Sequence, residues 1–308
     1  METLHAHIEQ FLQAKQLEVT SPRSIQDMAY FLRLIEEGLT TLYPNVSIEQ
    51  LTPIQLRSLV EWWDQGKSGR NVQKATIKKA LMFMKYFFRW LQDEQVIDRN
   101  PSEKLRYKPR VKYTPTARIQ RSDIQKLLLA TAGNQYLDKL AHVVVRVLLD
   151  TGMRAHELCA LKLENAQLLA SRIQINVGKG GKTGVIGFGK QTRQALDDYL
   201  LVRSALSRSV GDLLIVNSHG ARMTERNLDR LLKSYSEKAG VSPVSAHQFR
   251  VTFAVEQFLA GASIIAVQSA LRHSSIDMTL HYLRLAEQER HAMSCAMTSV
   301  VDALGADA

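Results

Sequence analysis

The chain has 308 residues, which is long enough for one large domain or two domains of moderate size, each with a buried core. Hydrophobic residues make up 45% of it and charged residues 23%, a composition that excludes a disordered or fibrous protein. Lys and Arg number 40 against 30 Asp and Glu, so the net charge is +10 and a polyanion is the expected partner.

The sequence gives no sign of export or of a membrane span. Its first residues lack the apolar segment of a signal peptide, and its most apolar stretch is too short to cross a bilayer. The two cysteines, Cys159 and Cys295, lack the spacing of a thiolate metal site or a disulfide framework. We therefore expect a cytoplasmic protein that has no membrane partner, no bound metal and no other cofactor.

The positive charge is concentrated in one part of the chain. Residues 1–66 carry a net charge of −5, residues 67–118 carry +10 and residues 119–308 carry +5. In the basic part, one helical stripe consists of Lys74, Lys78, Lys85 and Arg89, and bases continue at Lys108, Arg110 and Lys112. A lysine stripe is also compatible with a merely solvated face, but a basic helix that leads into a basic segment favours contact with a nucleic-acid backbone.

The first 99 residues show helical patterns, predicted over 3–17, 22–42, 53–65 and 71–95. In the last of these, the apolar residues form a stripe separate from the basic one, at Ile77, Leu81, Met84, Phe88 and Leu91. Three prolines and alternating bases then predict an extended linker over 100–118. This linker divides a helical domain, 1–99, from a second domain, 119–308.

The second domain is predicted to be mostly helical with one β-hairpin. Helices are expected over 123–132, 136–149, 190–208, 223–239, 246–260, 263–271 and 276–290, with another that opens near Met153. The expected N-caps are Ser122, Ser245 and Ser263, and Gly261 is the expected helix stop. Between 172 and 188 the hydrophobic period changes to two around a glycine-rich turn, which predicts the hairpin.

Several polar residues of the second domain stand near the ends of these elements. Arg154 follows a turn and precedes Glu157 by one helical turn; Lys179 lies at the predicted hairpin tip. His247 and Arg250 share a helical face, and His273 and Tyr282 follow nine residues apart. Each residue alone has an ordinary structural explanation, such as a surface ion pair or a core histidine. Their joint order and spacing favour a functional site.

In this order and spacing, the chain resembles the tyrosine recombinases, the lambda-integrase-like family that includes the Xer proteins. The matching elements are Thr-Gly-Met-Arg-Ala-His-Glu-Leu at 151–158, a hairpin lysine, His-Gln-Phe-Arg at 247–250, Leu-Arg-His-Ser-Ser at 271–275 and Tyr282. The resemblance implies a mainly α protein in which a helical core-binding domain and a mostly helical catalytic domain with a small sheet form a clamp around DNA. It covers the whole chain.

The resemblance also implies a role for each residue. Arg154 and Arg250 would clamp the scissile phosphate, because a guanidinium can bind two phosphate oxygens at once. Tyr282 would be the nucleophile and His247 its general base, since a tyrosine with a pKa near 10 needs help to attack. His273 would bind the phosphate, and Lys179, with Lys182 as the weaker candidate, would protonate the departing 5′-hydroxyl. Glu157 would orient a neighbouring side chain.

The resemblance implies a 3′-phosphotyrosyl intermediate, which conserves the bond energy, so neither ATP nor metal is expected. Four protomers would hold two double-stranded DNA sites and exchange strands through a Holliday junction, alone or with a related recombinase or accessory proteins. An apolar stripe in the tail would support such assembly: Met293, Ala296, Met297, Val300, Val301 and Leu304. We expect this segment to dock on a neighbouring protomer, although it could also pack on its own domain.

The chain departs from the family pattern at several positions near these residues. Phe249 and Val251 flank the second arginine where Leu and His are usual, Arg272 replaces a glycine, and Leu283-Arg284 follow the tyrosine. These differences favour a mobile-element or specialised recombinase over a housekeeping one.

Two alternatives remain open, and a third is disfavoured by its sequence context. A type IB topoisomerase shares the chemistry, and a non-catalytic DNA-binding regulator would explain the charge. A P-loop nucleotide site nearly forms over 176–183, but Asn176 stands where its first glycine is required, and a strand rather than a helix follows.

Overall fold

The structure is a computed structural model that describes residues 3–18, 21–69, 71–108, 117–176, 183–206 and 211–295, without the side chains of residues 176, 183 and 292–295. The chain separates into two compact units, Met1–Thr114 and Pro115–Ala308. Each unit has its own hydrophobic core. Among the described residues, no helix is both long enough and apolar enough to span a membrane.

The first unit contains four α-helices: α1 (Leu4–Leu17), α2 (Pro22–Leu42), α3 (Pro53–Asp64) and α4 (Lys74–Asp93). A short 3₁₀ helix, Ile48–Gln50, precedes α3. The starts follow from local chemistry, because Ser21 and Thr52 cap the free N–H groups of α2 and α3 and a proline follows each of them. These bounds agree with the predicted helices to within three residues.

Helix α4 has the two faces that its sequence predicts. All five residues of the predicted apolar stripe are buried: Ile77, Leu81, Met84, Phe88 and Leu91. On the other face, Lys74, Lys78 and Arg89 are exposed, while Lys85 is half-buried and donates a hydrogen bond to the carbonyl of Glu103, 3.3 Å away. The helix therefore contributes to the core and presents positive charge to solvent.

Residues 100–108, the first part of the predicted linker, pack on the first unit. Ser102 is fully buried and Leu105 is 5% exposed, and the side chain of Leu105 joins the core of this unit. The hydroxyl of Tyr107 donates a hydrogen bond to Asp64 at the end of α3. The first unit therefore extends beyond residue 99, because Leu105 packs in its core and Tyr107 bonds to Asp64. Of the predicted basic positions here, Lys108 is exposed, while Arg110 and Lys112 lie outside the described residues.

The second unit contains eight α-helices within its described residues: α5 (Arg121–Ala130), α6 (Tyr136–Thr151), α7 (Ala155–Ala160), α8 (Lys190–Ser204), α9 (Glu225–Lys238), α10 (Ala246–Leu259), α11 (Ile264–Leu271) and α12 (Ile276–Cys295). Ser245 and Ser263 are N-caps, as predicted, and Gly261 follows the end of α10 with a positive φ. The prediction for Ser122 was wrong, because α5 begins at Arg121 after Gln120, which places Ser122 inside the first turn.

The predicted hairpin is present and gains a third strand. Strands β2 (Arg172–Asn176) and β3 (Thr183–Gly187) pair antiparallel, with Gln174 opposite Val185, and β1 (Ala166–Gln167) pairs with β2 on its other edge. Ile173 and Ile186, which are partners in the register, point into the core. The turn between the strands, with Lys179 and Lys182, lies outside the described residues.

Helices α6 and α10 form the centre of the second unit. The four valines of α6, Val143, Val144, Val145 and Val147, are fully buried, as are Phe249 and Ala254 of α10. Helix α8 packs on α6, and α12 packs on α10 and α11. This packing places both α10 and α11 against α12, the helix that carries Tyr282.

Candidate active site

The predicted catalytic residues that the structure describes stand beside the ends or in the first two turns of helices of the second unit. Arg154 is the N-cap residue of α7, and Arg250 lies in the second turn of α10. His273 follows the last residue of α11 by two positions, and Tyr282 lies in the second turn of α12. Side chains at element ends can converge on one point without disturbing the packed bodies of the helices.

Arg250 joins two of these segments through hydrogen bonds. Its side chain is buried, and Nη1 and Nη2 donate to the carbonyls of Gly152, at 2.7 Å, and Leu271, at 2.6 Å. Gly152 lies two residues before Arg154, and Leu271 lies two residues before His273. One guanidinium therefore fixes the loop before α7 and the end of α11 together.

Burial lowers the pKa of Arg250 to about 10, and the positive charge of Arg154 adds to this effect. The guanidinium still keeps its proton at neutral pH. A buried cation without a full counter-charge favours the approach of an anion. Its setting is therefore suited to a phosphate group.

Gly152 lies where the loop before α7 comes very close to α10 and α11. It ends α6 with φ +55°, in the left-handed region that favours glycine. A Cβ at this position would lie 2.5 Å from the ring of Phe253 and 3.0 Å from the side chain of Leu271. A larger residue would push α10 and α11 away from the loop that precedes Arg154.

Glu157 is a buried carboxylate between two arginines. Its Oε2 accepts from the backbone N–H of Arg154, at 2.8 Å, and from Nη2 of Arg272, at 2.7 Å. Its Oε1 accepts from Nη1 of Arg154, at 3.0 Å. Burial raises the pKa of this carboxyl, but the hydrogen bonds and charges of Arg154 and Arg272 outweigh burial and hold it below the usual range. The ionised carboxylate fixes the side chain of Arg154, which is 29% exposed.

His273 is a buried, neutral histidine. Its Nδ1 lies 2.8 Å from the hydroxyl oxygen of Thr279, and its Nε2 is buried with no hydrogen-bond partner among the described residues. Burial, together with the positive charges of Arg250, Arg154 and Arg272, lowers its pKa to about 4. The imidazole therefore offers one nitrogen to a ligand without carrying charge at neutral pH.

Tyr282 is buried, and its ring lies beside that of His273, with 5.8 Å between the ring centroids. The ring of His281 lies 5.7 Å away by the same measure. Arg250 is close enough to Tyr282 for the two to interact electrostatically. The structure thus brings together five of the predicted site residues: Arg154, Glu157, Arg250, His273 and Tyr282.

Helix α12, which carries Tyr282, is held on α10 by an ion cluster. Nε of Arg118 donates to both carboxylate oxygens of Glu289 of α12, at 2.5 and 2.7 Å, and Nη1 donates to Glu256 of α10, at 3.0 Å. Arg290 donates to the carbonyl of Phe258. These bonds lie two turns beyond Tyr282 and restrain the helix that presents it.

His247 lies at the start of α10, one turn before Arg250, and its side chain is exposed. Neighbouring protein atoms remove part of its hydration and lower its pKa, and the charges of Arg250 and His281 act in the same direction. The neutral imidazole can accept a proton at neutral pH. The predicted lysine, Lys179, lies outside the described residues, as does the tail stripe apart from the backbone of Met293.

Sequence reasoning missed Arg272 as a member of the site and treated it as a departure from a glycine pattern. The one available signal was its position directly before His273, which does not by itself fix where the side chain points. The described part of the chain contains no cluster of three or more His, Cys, Asp or Glu that could hold a metal ion.

Comparison with known proteins shows the family of the chain. Residues 117–289 match the phage integrase family. The tyrosine recombinase XerC of Herpetosiphon aurantiacus is 31% identical over 260 residues, which cover 83% of this chain and 81% of that protein. The chain therefore belongs to the phage integrase family of tyrosine recombinases.

Solved structures agree in fold. The Tn1549 transposon integrase in complex with transposon right end DNA is similar with a TM-score of 0.72 at 19% identity, over 94% of this chain and 100% of that chain. A lambda integrase tetramer bound to a Holliday junction has a TM-score of 0.71 at 18% identity, over 91% of this chain and 77% of that chain. The protein is a tyrosine-type site-specific DNA recombinase, which confirms the predicted enzyme class and the mostly helical fold with a small sheet.

Proposed function

We propose that this recombinase cuts and rejoins double-stranded DNA through a 3′-phosphotyrosyl intermediate on Tyr282. The tyrosine oxygen attacks the scissile phosphorus, an O–P bond forms, and the bond from phosphorus to the 5′ oxygen breaks. A 5′-hydroxyl of another strand then reverses the step. The bond count is unchanged, so the reaction needs no ATP, metal or other cofactor.

The observation that carries this proposal is the fixed position of Arg250 beside Tyr282. Its two hydrogen bonds, at 2.7 and 2.6 Å, tie the segments of Arg154 and His273 to the same point. Two guanidiniums and an imidazole nitrogen without a partner then surround the place where a phosphate would meet the tyrosine. Donors that are fixed before the reaction stabilise the charge that develops in the transition state.

Proton transfer and phosphate binding would involve further groups of the site. His247 has a lowered pKa and is the proposed base that takes the proton of Tyr282. His273, which is neutral, is the proposed hydrogen-bonding partner of the phosphate. Lys179 is the proposed acid that protonates the departing 5′ oxygen, and Glu157 is the proposed support of Arg154.

Strand exchange requires two DNA sites. We propose that four copies of the chain hold them and pass through a Holliday junction, a proposal supported by the fold shared with the lambda integrase tetramer bound to such a junction. The first unit would contact DNA through the exposed bases of α4, and the two units together would enclose each site. The tail beyond α12 would dock on the neighbouring copy.

The test is a search for a covalent protein–DNA adduct in the presence of EDTA and without ATP. Wild-type protein and Tyr282→Phe are incubated with nicked duplex fragments from around the coding locus, the conjugates are denatured, and the attached DNA ends are sequenced. We expect an adduct at the 3′ end of one recurrent sequence in the wild type, and no adduct with Tyr282→Phe, although both proteins bind the duplex.

Other outcomes separate the alternatives. Linkages dispersed over many sequences would favour a type IB topoisomerase. Tight binding to a fragment by both proteins, with no adduct from either, would favour a non-catalytic regulator. An adduct that persists in Tyr282→Phe would contradict the assignment of the nucleophile.

A further inference from the structure

Arg272 has a backbone conformation that an arginine rarely adopts. It caps the end of α11 with φ +54° and ψ 45°, in the left-handed region. Its backbone N–H closes the helix by donating to the carbonyl of Ser269, at 3.0 Å. Glycine forms this kind of cap without steric conflict between Cβ and the backbone, so the cap itself gives no reason for an arginine. Strained residues of this kind cluster at functional sites.

The side chain of Arg272 is enclosed by groups of the candidate site. It is 10% exposed, its Nη2 donates to Oε2 of Glu157, at 2.7 Å, and its Nη1 donates to the carbonyl of Ala270, also at 2.7 Å. Its Nε is buried and has no hydrogen-bond partner among the described residues. The guanidinium is therefore held in one orientation against the carboxylate of Glu157.

Glu157 divides its two oxygens between the two arginines. Oε1 accepts from Nη1 of Arg154, whereas Oε2 accepts from the backbone of Arg154 and from Arg272. With both oxygens occupied, rotation of the carboxylate would break at least one of these bonds. The remaining N–H groups of Arg154 stay available to a ligand. A shift of Arg272 would remove one of the three hydrogen bonds that hold the carboxylate and would thereby loosen the orientation of Arg154.

A glycine of the sheet makes room for this arrangement. A Cβ on Gly184 of β3 would lie 2.5 Å from Cδ of Arg272, closer than real Cβ contacts, and a tight 3.2 Å from Cγ. The stem of the arginine thus occupies the space into which a side chain at position 184 would point. Gly187 on the same strand has no such neighbour, because its Cβ would meet the carbonyl of Ser171 at an ordinary 3.8 Å.

We propose that Arg272 is a positioning residue for DNA cleavage, which holds the carboxylate of Glu157 and thereby orients Arg154 towards the scissile phosphate. The proposal rests on the proposed function and adds a third guanidinium to its machinery. Arg272 acts through Glu157 and does not itself touch the reacting atoms.

The first experiment compares Arg272→Gly and Arg272→Lys with the wild type on a nicked duplex that captures the adduct. Since small displacements of a catalytic group slow reactions by up to about 100-fold, we expect Arg272→Gly to lower the single-turnover rate about 10- to 100-fold, with duplex affinity within about twofold. Glycine suits the cap and Glu157 keeps its hydrogen bonds to Arg154, so we expect the thermal midpoint to fall less than it does in Glu157→Ala. Arg272→Lys keeps a positive charge near Glu157 and restores part of the rate.

A duplex with an uncharged methylphosphonate at the scissile position separates positioning from a general structural role. A neutral phosphate analogue needs less charge compensation from Arg154, so the rate deficit of Arg272→Gly shrinks on this substrate. A purely structural defect would slow both substrates equally and lower the thermal midpoint in proportion. That result would overturn the proposal, as would wild-type cleavage by Arg272→Gly.

A double-mutant cycle tests the contact with β3. Gly184→Ala forces the stem of Arg272 aside, so we expect slower cleavage in the wild type and little further loss in Arg272→Gly. Gly187→Ala is the matched control and leaves the rate unchanged. An equal loss from Gly184→Ala in both backgrounds would show that the strand does not act through Arg272.

The wild-type adduct is measured before any variant. If it does not form, the proposed function fails and the role of Arg272 fails with it. If it forms at the same rate without the Arg272 guanidinium, the proposed function stands and the positioning role alone is refuted.

Discussion

The two units of the chain bury different kinds of side chain. Among the described residues of the first unit, His7 is the only charged or histidine side chain that is buried, and its core is rich in packed aromatic rings such as Phe11, Phe87 and Phe88. The second unit buries Asp138, Glu157, Arg203, Arg250 and His273. The first unit therefore keeps its charge at the surface, where it can meet a long polyanion, whereas the second builds charge into its core, where it can act on one phosphate.

This contrast can be tested because the two cores carry separate spectroscopic signals. All three tryptophans, Trp62, Trp63 and Trp90, belong to the first unit. Denaturation followed by tryptophan fluorescence therefore reports on that unit, while far-UV circular dichroism reports on the helices of both units.

The largest effect is expected from Glu157→Ala, which removes the buried carboxylate shared by Arg154 and Arg272. Loss of one partner leaves buried cations uncompensated, so the second unit should lose about 3–5 kcal/mol of unfolding free energy. Urea titration by circular dichroism should show the shift, with the tryptophan transition unchanged. Glu164→Ala is the control, since that carboxylate is 73% exposed and its loss should change stability by less than about 0.5 kcal/mol. Equal effects of the two substitutions would contradict the buried role of Glu157.

A somewhat smaller effect is expected from Leu59→Ala in the first unit. Leu59 is fully buried, and truncation of such a leucine costs about 3 kcal/mol through lost burial and the cavity that remains. The tryptophan transition should move to lower urea, while adduct formation by the folded protein stays at the wild-type rate. A loss of cleavage by fully folded Leu59→Ala would show that the chemistry depends on the first core as well.

Acid should destabilise the second unit before the first. Burial lowers the pKa of His273 to about 4, whereas its pKa in the unfolded chain is about 6.5. Between these two pH values the unfolded chain binds a proton at His273 that the folded chain does not bind. The stability from neutral His273 is complete above about 6.5 and falls by about 1–3 kcal/mol as pH drops towards 4. His142 and His247, whose pKa values are also lowered, act in the same direction.

Urea titrations between pH 7 and pH 4.5 check this dependence. His273→Gln should flatten it, because the glutamine does not titrate. A dependence that is equally steep in His273→Gln would assign the acid sensitivity to other groups.

The smallest effect on stability is expected at the basic face of α4. Lys78→Ala should change unfolding free energy by less than about 0.5 kcal/mol, since the side chain is exposed. If Lys78 contacts a DNA phosphate, the slope of log affinity against log salt should decrease by about one. Lys79→Ala is the matched control, because its side chain is exposed about 100° around the helix from Lys78. Equal slopes for the two variants would remove Lys78 from the interface.

The helices could be predicted because their signals are local. The apolar stripe of α4 and the caps Ser245 and Ser263 need no information from distant residues, and the structure confirms them. Ser122 failed because a residue with good capping chemistry is not used when the preceding segment already adopts the helix entry, here at Gln120. The two-residue strand β1 was missed because it is too short to show a period of two.

The sequence could predict which residues lie together in the candidate site, but not which hydrogen bonds hold them there. The order of Arg154, Arg250, His273 and Tyr282 along the chain indicated a recombinase, and the comparisons confirm the family. Nothing local to Arg250 indicates that its guanidinium binds the carbonyls of Gly152 and Leu271, because these partners are 98 and 21 residues away.

The sequence by itself determined the helical architecture, the hairpin, the basic face of α4 and the class of enzyme. Hydrophobic period, capping and motif spacing can all be read along the chain without knowledge of tertiary contacts. The tertiary structure alone decided which charges are buried and which partners hold them. It also showed that Arg272, which departs from the family motif, contributes a third guanidinium beside Glu157. Folding brings these two residues together although they are 115 positions apart in the chain. Long-range packing fixes the pKa values of such groups, and packing depends on the whole fold.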